Sequence, residues 1–152
     1  MNEQIEWKGA EFQVLAFEET VKAMKKACIF VQRYAKQTVG GPGSGRAYKR
    51  GKGKGKAARY HYASVPGAPP ARDSGVLTSS ISYKIDKKGA YIQGRVGPDV
   101  AKIASRKKGS TDPEYGLYLE LGTKRMAARP WLSLTQNETS DDVIRIFQNA
   151  FK

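Results

Sequence analysis

Apolar and polar positions along the chain fall into a few regular stretches separated by irregular ones. From about residue 11 to residue 38 there is neither proline nor glycine. Within that span Val14, Phe17, Val21, Met24, Cys28, Val31 and Ala35 recur at alternating spacings of three and four. This period predicts one apolar stripe on a long helix. Lys22, Lys25, Lys26, Arg33 and Lys36 fall off the stripe, toward solvent or a partner. Gly40, Gly41, Pro42 and Gly43 then stop the helix. Ahead of it, residues 4–9 predict a short lead-in strand with Ile5 and Trp7 on one face.

Alternation of period two appears at residues 80–85 and 90–96, where Tyr83 and Ile85, then Ile92 and Val96, interleave with polar side chains. With Asp86-Lys87-Lys88-Gly89 as the turn, these stretches predict an antiparallel hairpin. A second mobile loop, 97–114, carries Lys102, Arg106, Lys107 and Lys108. The densest apolar run follows, YGLYLELGTKRMAARPWLSL at 115–134. Leu117, Leu119 and Leu121 fit a strand, whereas Tyr115, Tyr118 and Leu121 fit a helical turn, and both readings stay open. Gly122-Thr123 closes that element, and Pro130 predicts a helix from Trp131. One or two helices then reach the C-terminus. Ser140 with Asp141 and Asp142 marks a second start, and Val143, Ile146, Phe147 and Ala150 form an apolar face. A long helix, a small antiparallel sheet and a C-terminal helix make an α+β fold, which 152 residues can build as one domain, 1–152.

Residues 40–75 break the pattern, with glycine, proline and cations but no apolar period, and are predicted to be a long flexible basic loop. Arg46, Lys49, Arg50, Lys52, Lys54, Lys56 and Arg59 fall within residues 46–59, where no acid occurs. They supply more than half of a formal net charge of +13. Such a field favours a polyanion and makes these seven cations candidates for contact with DNA. Tyr48, Tyr60 and Tyr62 interleave with them. The run RGKGKGK at 50–56 is not a phosphate-binding loop: positions 46, 48 and 50 are Arg, Tyr and Arg where that motif needs glycine, and no Ser or Thr follows its lysines.

Candidate chemistry is sparse. Cys28 and His61 are the only residues of their types, which excludes an intrachain disulfide and leaves a Cys/His zinc site without ligands. Cys28, on the apolar stripe, reads as a small buried hydrophobe. His61 has no carboxylate near it in sequence to orient it, so no Ser-His-Asp arrangement is in view. No enzyme, metal or cofactor is expected. No apolar run is long enough for a bilayer span, and the first residues lack the order of a signal peptide, so a soluble protein made in the cytoplasm is expected.

The pattern Y-x-x-Y-L-E-x-G-T from Tyr115, then a short basic linker, then A-R-P-W-L from Ala128, resembles the signature of a phage virion family. Its members are the small neck, tail-completion or head-tail joining proteins of long-tailed phages. V-P-G-A-P-P-A-R-D-S-G-V-L-T-S-S-I, at 65–81, resembles the same family's proline-rich approach to G-x-L-x-x-S-I, and the two blocks keep the family's order. The likeness covers most of the chain apart from residues 40–64, where the loop is longer and more basic than the family's usual link. It implies a virion protein that assembles as a ring of six or twelve copies between the head connector and the tail terminator or tail tube, with double-stranded DNA passing through. It also implies a subunit interface at Glu120, Lys124, Arg125 and Arg129, with Glu120 paired to Arg125 or Arg129 of the same or a neighbouring chain; a solvent-facing Glu120 is the other reading. Trp131 and Leu132 read as core. Deleting residues 46–59 is expected to spare the fold while impairing joining. A basic nucleic-acid-binding module outside any virion is the alternative, and a nuclease the third reading.

Overall fold

The computed structural model describes residues 9–50, 59–89, 91–104 and 114–152. The predicted long helix is α1, Gly9–Thr38. Two short strands follow, β1 (Ala47–Arg50) and β2 (Arg59–Tyr62), then a short helix α2 (Val76–Ser80). The hairpin is β3 (Ile81–Lys88) with β4 (Tyr91–Pro98), and α3 (Val100–Ala104), α4 (Tyr115–Leu121) and α5 (Leu132–Ala150) complete the chain. The fold is α+β, with a long N-terminal and a C-terminal helix and two separate antiparallel strand pairs.

The core lies at the C-terminal end of α1. Ala35, Val39, Leu77, Ile81, Leu119 and Trp131 form one buried cluster, with Val96 and Met126 packed against it. Gln32 ties α1 to the hairpin by donating from Nε2 to the Ile81 carbonyl at 2.9 Å. Midway along α1 the hairpin approaches closely: a Cβ on Gly94 would sit 2.5 Å from Cys28 Sγ and 2.6 Å from Met24 Sδ. Buried Ala23 and Ala27 on α1, and buried Thr135 and Thr139 on α5, are small enough to suit close packing of those two helices. Cys28 is buried as expected, and burial pushes its thiol pKa up, away from reactivity. The apolar stripe does not stay in the core, however. Val14 is exposed, and Phe17 and Val21 line an open groove beside Lys87 at the far end of the hairpin.

Several expectations are corrected. Residues 40–75 are no featureless loop: β1 and β2 pair as an antiparallel ribbon in the register Ala47↔Tyr62 to Arg50↔Arg59. Tyrosine favours a pleated backbone, and the interleaved cations hid that signal. The hairpin turn is tighter than predicted, because β3 runs through Asp86 to Lys88, which pairs with Tyr91. Gly89 takes φ 57°, the positive angle that two-residue hairpin loops demand. Ser140 starts no helix. It lies inside continuous α5 and donates its hydroxyl to the Asn137 carbonyl at 3.1 Å. Within the predicted loop 97–114, α3 forms where Asp99 Oδ1 accepts from the Ala101 and Lys102 amides at 3.1 and 3.3 Å. Of the lead-in strand predicted at residues 4–9, Gly9 instead opens α1, and residues 4–8, like Arg106, Lys107 and Lys108, lie outside the described residues.

Candidate functional site

The central run resolves as helix α4, and its junction with α5 forms a tight corner. Trp131 is only 1% exposed, and its indole Nε1–H donates to the Gly116 carbonyl at 3.1 Å. Gly116 is wedged in turn: a Cβ there would lie 3.3 Å from Leu77, 3.4 Å from Pro98 and 3.6 Å from Trp131. At the end of α4, Gly122 adopts φ 77° and ψ 178°, a conformation open in practice only to glycine. A Cβ there would meet the Ala128 amide nitrogen at 2.8 Å. The chain then reverses through a bridge between Thr123 and Met126, and Arg129 returns its amide to the Leu119 carbonyl at 2.7 Å.

Glu120 supplies the cap that Trp131, the residue before α5, lacks. Its Oε2 accepts from the Trp131 and Leu132 amides, both at 2.8 Å, and Oε1 accepts from the Ser133 amide at 3.0 Å. A carboxylate at a helix N-terminus satisfies donors that have no partner within the helix and meets the positive end of the helix dipole. Burial pushes its pKa up, but hydrogen bonds from Ser133, Trp131 and Leu132 outweigh that and hold it below the usual glutamate range. Neither expectation anticipates this role: within the chain, Glu120 takes its hydrogen bonds from the Trp131, Leu132 and Ser133 amides. Arg129 is half-buried, with Nε donating to the Ser64 carbonyl at 3.2 Å, whereas Lys124 and Arg125 are exposed in the turn. Leu132, expected in the core, is 37% exposed.

The main-chain hydrogen bonds that close the ribbon and tie it to this corner lie at its base. Gly45 donates to the Ala63 carbonyl at 2.7 Å, Ala63 to the Arg46 carbonyl at 3.1 Å, and Gly67 to the Ala128 carbonyl at 3.0 Å. Gly43 passes so near the Tyr62 carbonyl that no side chain would fit. By the strand register, Tyr48 and His61 share the face turned to the body, while Lys49, Tyr60 and Tyr62 lie on the exposed opposite face. The Arg46 guanidinium stands 5.5 Å from the Tyr48 ring centroid. Of the seven candidate cations, Lys52, Lys54 and Lys56 lie outside the described residues, and only the backbone of Arg50 and Arg59 is described.

His61 does have a carboxylate beside it, contrary to the sequence reading: Nδ1 is 3.4 Å from Asp73 Oδ1. The signal was available, since Asp73 is the only acid between Glu19 and Asp86. Both residues line a cleft of about 410 Å³ with Tyr48, Ser64, Arg125 and Arg129. The buried Ser64 hydroxyl has no hydrogen-bond partner among the described residues. Among the described residues no cluster of three or more His, Cys, Asp or Glu side chains could hold a metal ion, and no helix is long and apolar enough to cross a membrane. Comparison with protein-family models, with curated proteins and with solved structures finds no match.

Proposed function

We propose that this protein is a structural component of a phage neck, a ring that joins the DNA-filled head to the tail and lets the genome pass. One observation carries the reading. The two sequence blocks that bear the likeness, 65–81 and 115–134, contribute to one connected corner around Trp131, and the strands that flank the strongly basic segment pair as a ribbon beside that corner. Six or twelve copies close through a heterologous interface, with one face toward the head connector and the other toward the tail terminator or tube. The work is assembly rather than bond chemistry. The ribbon's outer face, with Lys49, Tyr60 and Tyr62, suits contact with phosphates of any sequence, as a conduit for sliding duplex requires. Imaging the virion neck tests the reading: a closed ring of this chain at the head-tail junction is expected, and its absence from the particle overturns it.

A nucleic-acid-binding module outside the virion is the second reading, favoured by the ribbon itself. A two-stranded β-ribbon is of a size the DNA major groove admits, and this one carries cations and tyrosines together. That reading expects tight duplex binding by the isolated chain. Its log-log salt slope should approach roughly −6 if all seven cations neutralise phosphates. The neck reading expects weak binding by the monomer.

A further inference from the structure

We infer that the protein associates with further copies of itself head to tail, the first turns of α1 in one copy docking on the α4 corner of the next. This deepens the ring reading and rests on it only for the closure of such a series into a ring. Each patch exposes large apolar side chains that one copy leaves uncovered. On α1, Val14 is 59% and Leu15 62% exposed; on α4, Leu117 is 51% and Leu121 70% exposed, and their spacing of four puts them on one face.

The charges around the two patches are opposite. Between residues 9 and 21 the chain has Glu11, Glu18 and Glu19 and no Lys or Arg. Helical spacing places all three around Leu15, at four before, three after and four after it, and Glu18 also lies four after Val14. Glu19 is bridged to Lys22 at 2.7 Å on the same helix, and Lys22 and Lys87 line the groove on the Val14 side of the patch. At the corner, exposed Lys124 and Arg125 come three and four residues after Leu121, and no acid occurs from 121 to 137. Exposed Glu114, three before Leu117, accepts from the Tyr118 hydroxyl at 2.8 Å at the other end of α4. Glu120 is turned to α5. In a chain of net charge +13 an apolar patch with three glutamates around Leu15 is unusual, and the exposed cations that complement it stand beside Leu121 at the opposite end of the same molecule.

Geometry makes the pairing intermolecular. The corner packs on α1 through the cluster holding Ala35 and Val39, and Leu15 lies about 30 Å ahead of Ala35 on one uninterrupted helix, at roughly 1.5 Å per residue. The patches cannot meet within one copy, so their union is heterologous and repeats from copy to copy.

One-sided variants of the full chain test this by light scattering and sedimentation. The wild type should associate with rising concentration, less so in high salt. Leu15→Asp and Leu121→Asp should each abolish growth, and an equimolar mixture should form dimers and nothing larger, since each variant keeps one intact patch. Glu18→Lys and Arg125→Glu should each weaken association about tenfold, and the two together in one chain should restore much of it. Far-UV circular dichroism should be unchanged throughout, because all four side chains are exposed. A wild type that stays monomeric, single-patch variants that assemble as wild type, or a mixture that forms no dimer would each overturn the inference. A ring in the virion whose subunits still assemble with Leu15→Asp overturns this interface alone. Dimers from the mixture with no ring in the particle overturn the neck reading alone.

Discussion

The corner around Trp131 and the β1–β2 ribbon sit side by side and are held by different means. In the corner, buried side chains and side-chain hydrogen bonds fix the backbone: Trp131 fills the core, Glu120 caps α5 and Gly122 makes the reversal. In the ribbon, a main-chain ladder joins two strands whose larger contacts are with each other, and the body holds the base and, through Asp73, His61. An isolated pair of strands is marginally stable in water, so the ribbon's order depends on its anchor far more than the corner depends on the ribbon. Mutations should therefore separate the two regions, with large losses of stability from the corner and small ones from the ribbon.

The largest effect is expected from Trp131→Ala. Removing a fully buried indole costs about 3–5 kcal/mol, with a further penalty for the Gly116 carbonyl left without its donor. Chemical denaturation should place the variant at or near the unfolding threshold. Next comes Gly122→Ala, for which a backbone conformation unsuited to a side chain costs about 1–3 kcal/mol. The contact with the Ala128 amide adds to that, and a loss below about 1 kcal/mol would show that the reversal can relax.

Glu120→Gln should cost about 1 kcal/mol at neutral pH, as other lost helix caps do. Its pH dependence is the sharper test. A carboxyl whose folded pKa is depressed contributes stability above the unfolded value of about 4.3 and loses it as pH falls through the folded value. The gap between wild type and variant should be full at about pH 6, begin to narrow near the unfolded value, and close as pH falls through the depressed folded value in a series of urea melts. A gap independent of pH would mean that the charge does not matter to the cap. Smallest of all should be replacement of residues 46–62 by a short glycine link. Gly45 and Ala63 are already hydrogen-bonded neighbours, so the loss should stay within about 1 kcal/mol while DNA contact or head-tail joining fails.

The same contrast governs what could be read from the sequence. The α1 helix and the β3–β4 hairpin were legible because each repeats an apolar period over many residues. The stripe on α1 reported a helix face but not what covers it, which is why Val14 belongs to the pattern and not to the core. The ribbon was hidden because its strands are short and its cations outnumber its apolar positions. Glu120 was illegible for another reason. Its partners are backbone amides 11 to 13 residues further on, and no side-chain pattern announces a main-chain donor. The pairing of Asp73 with His61 needed only the observation that each is alone of its kind in that region.

The uninterrupted run of α1 makes its outer end an angular pointer as well as a spacer. One residue inserted between Val21 and Met24 would advance Leu15 by about 1.5 Å but swing it by about 100° around the helix axis. Seven inserted residues would move it about 10 Å outward with only about 20° of rotation. What the outer end of α1 faces is thus set by the phase of the helix, so length changes of seven should be tolerated where single-residue changes are not.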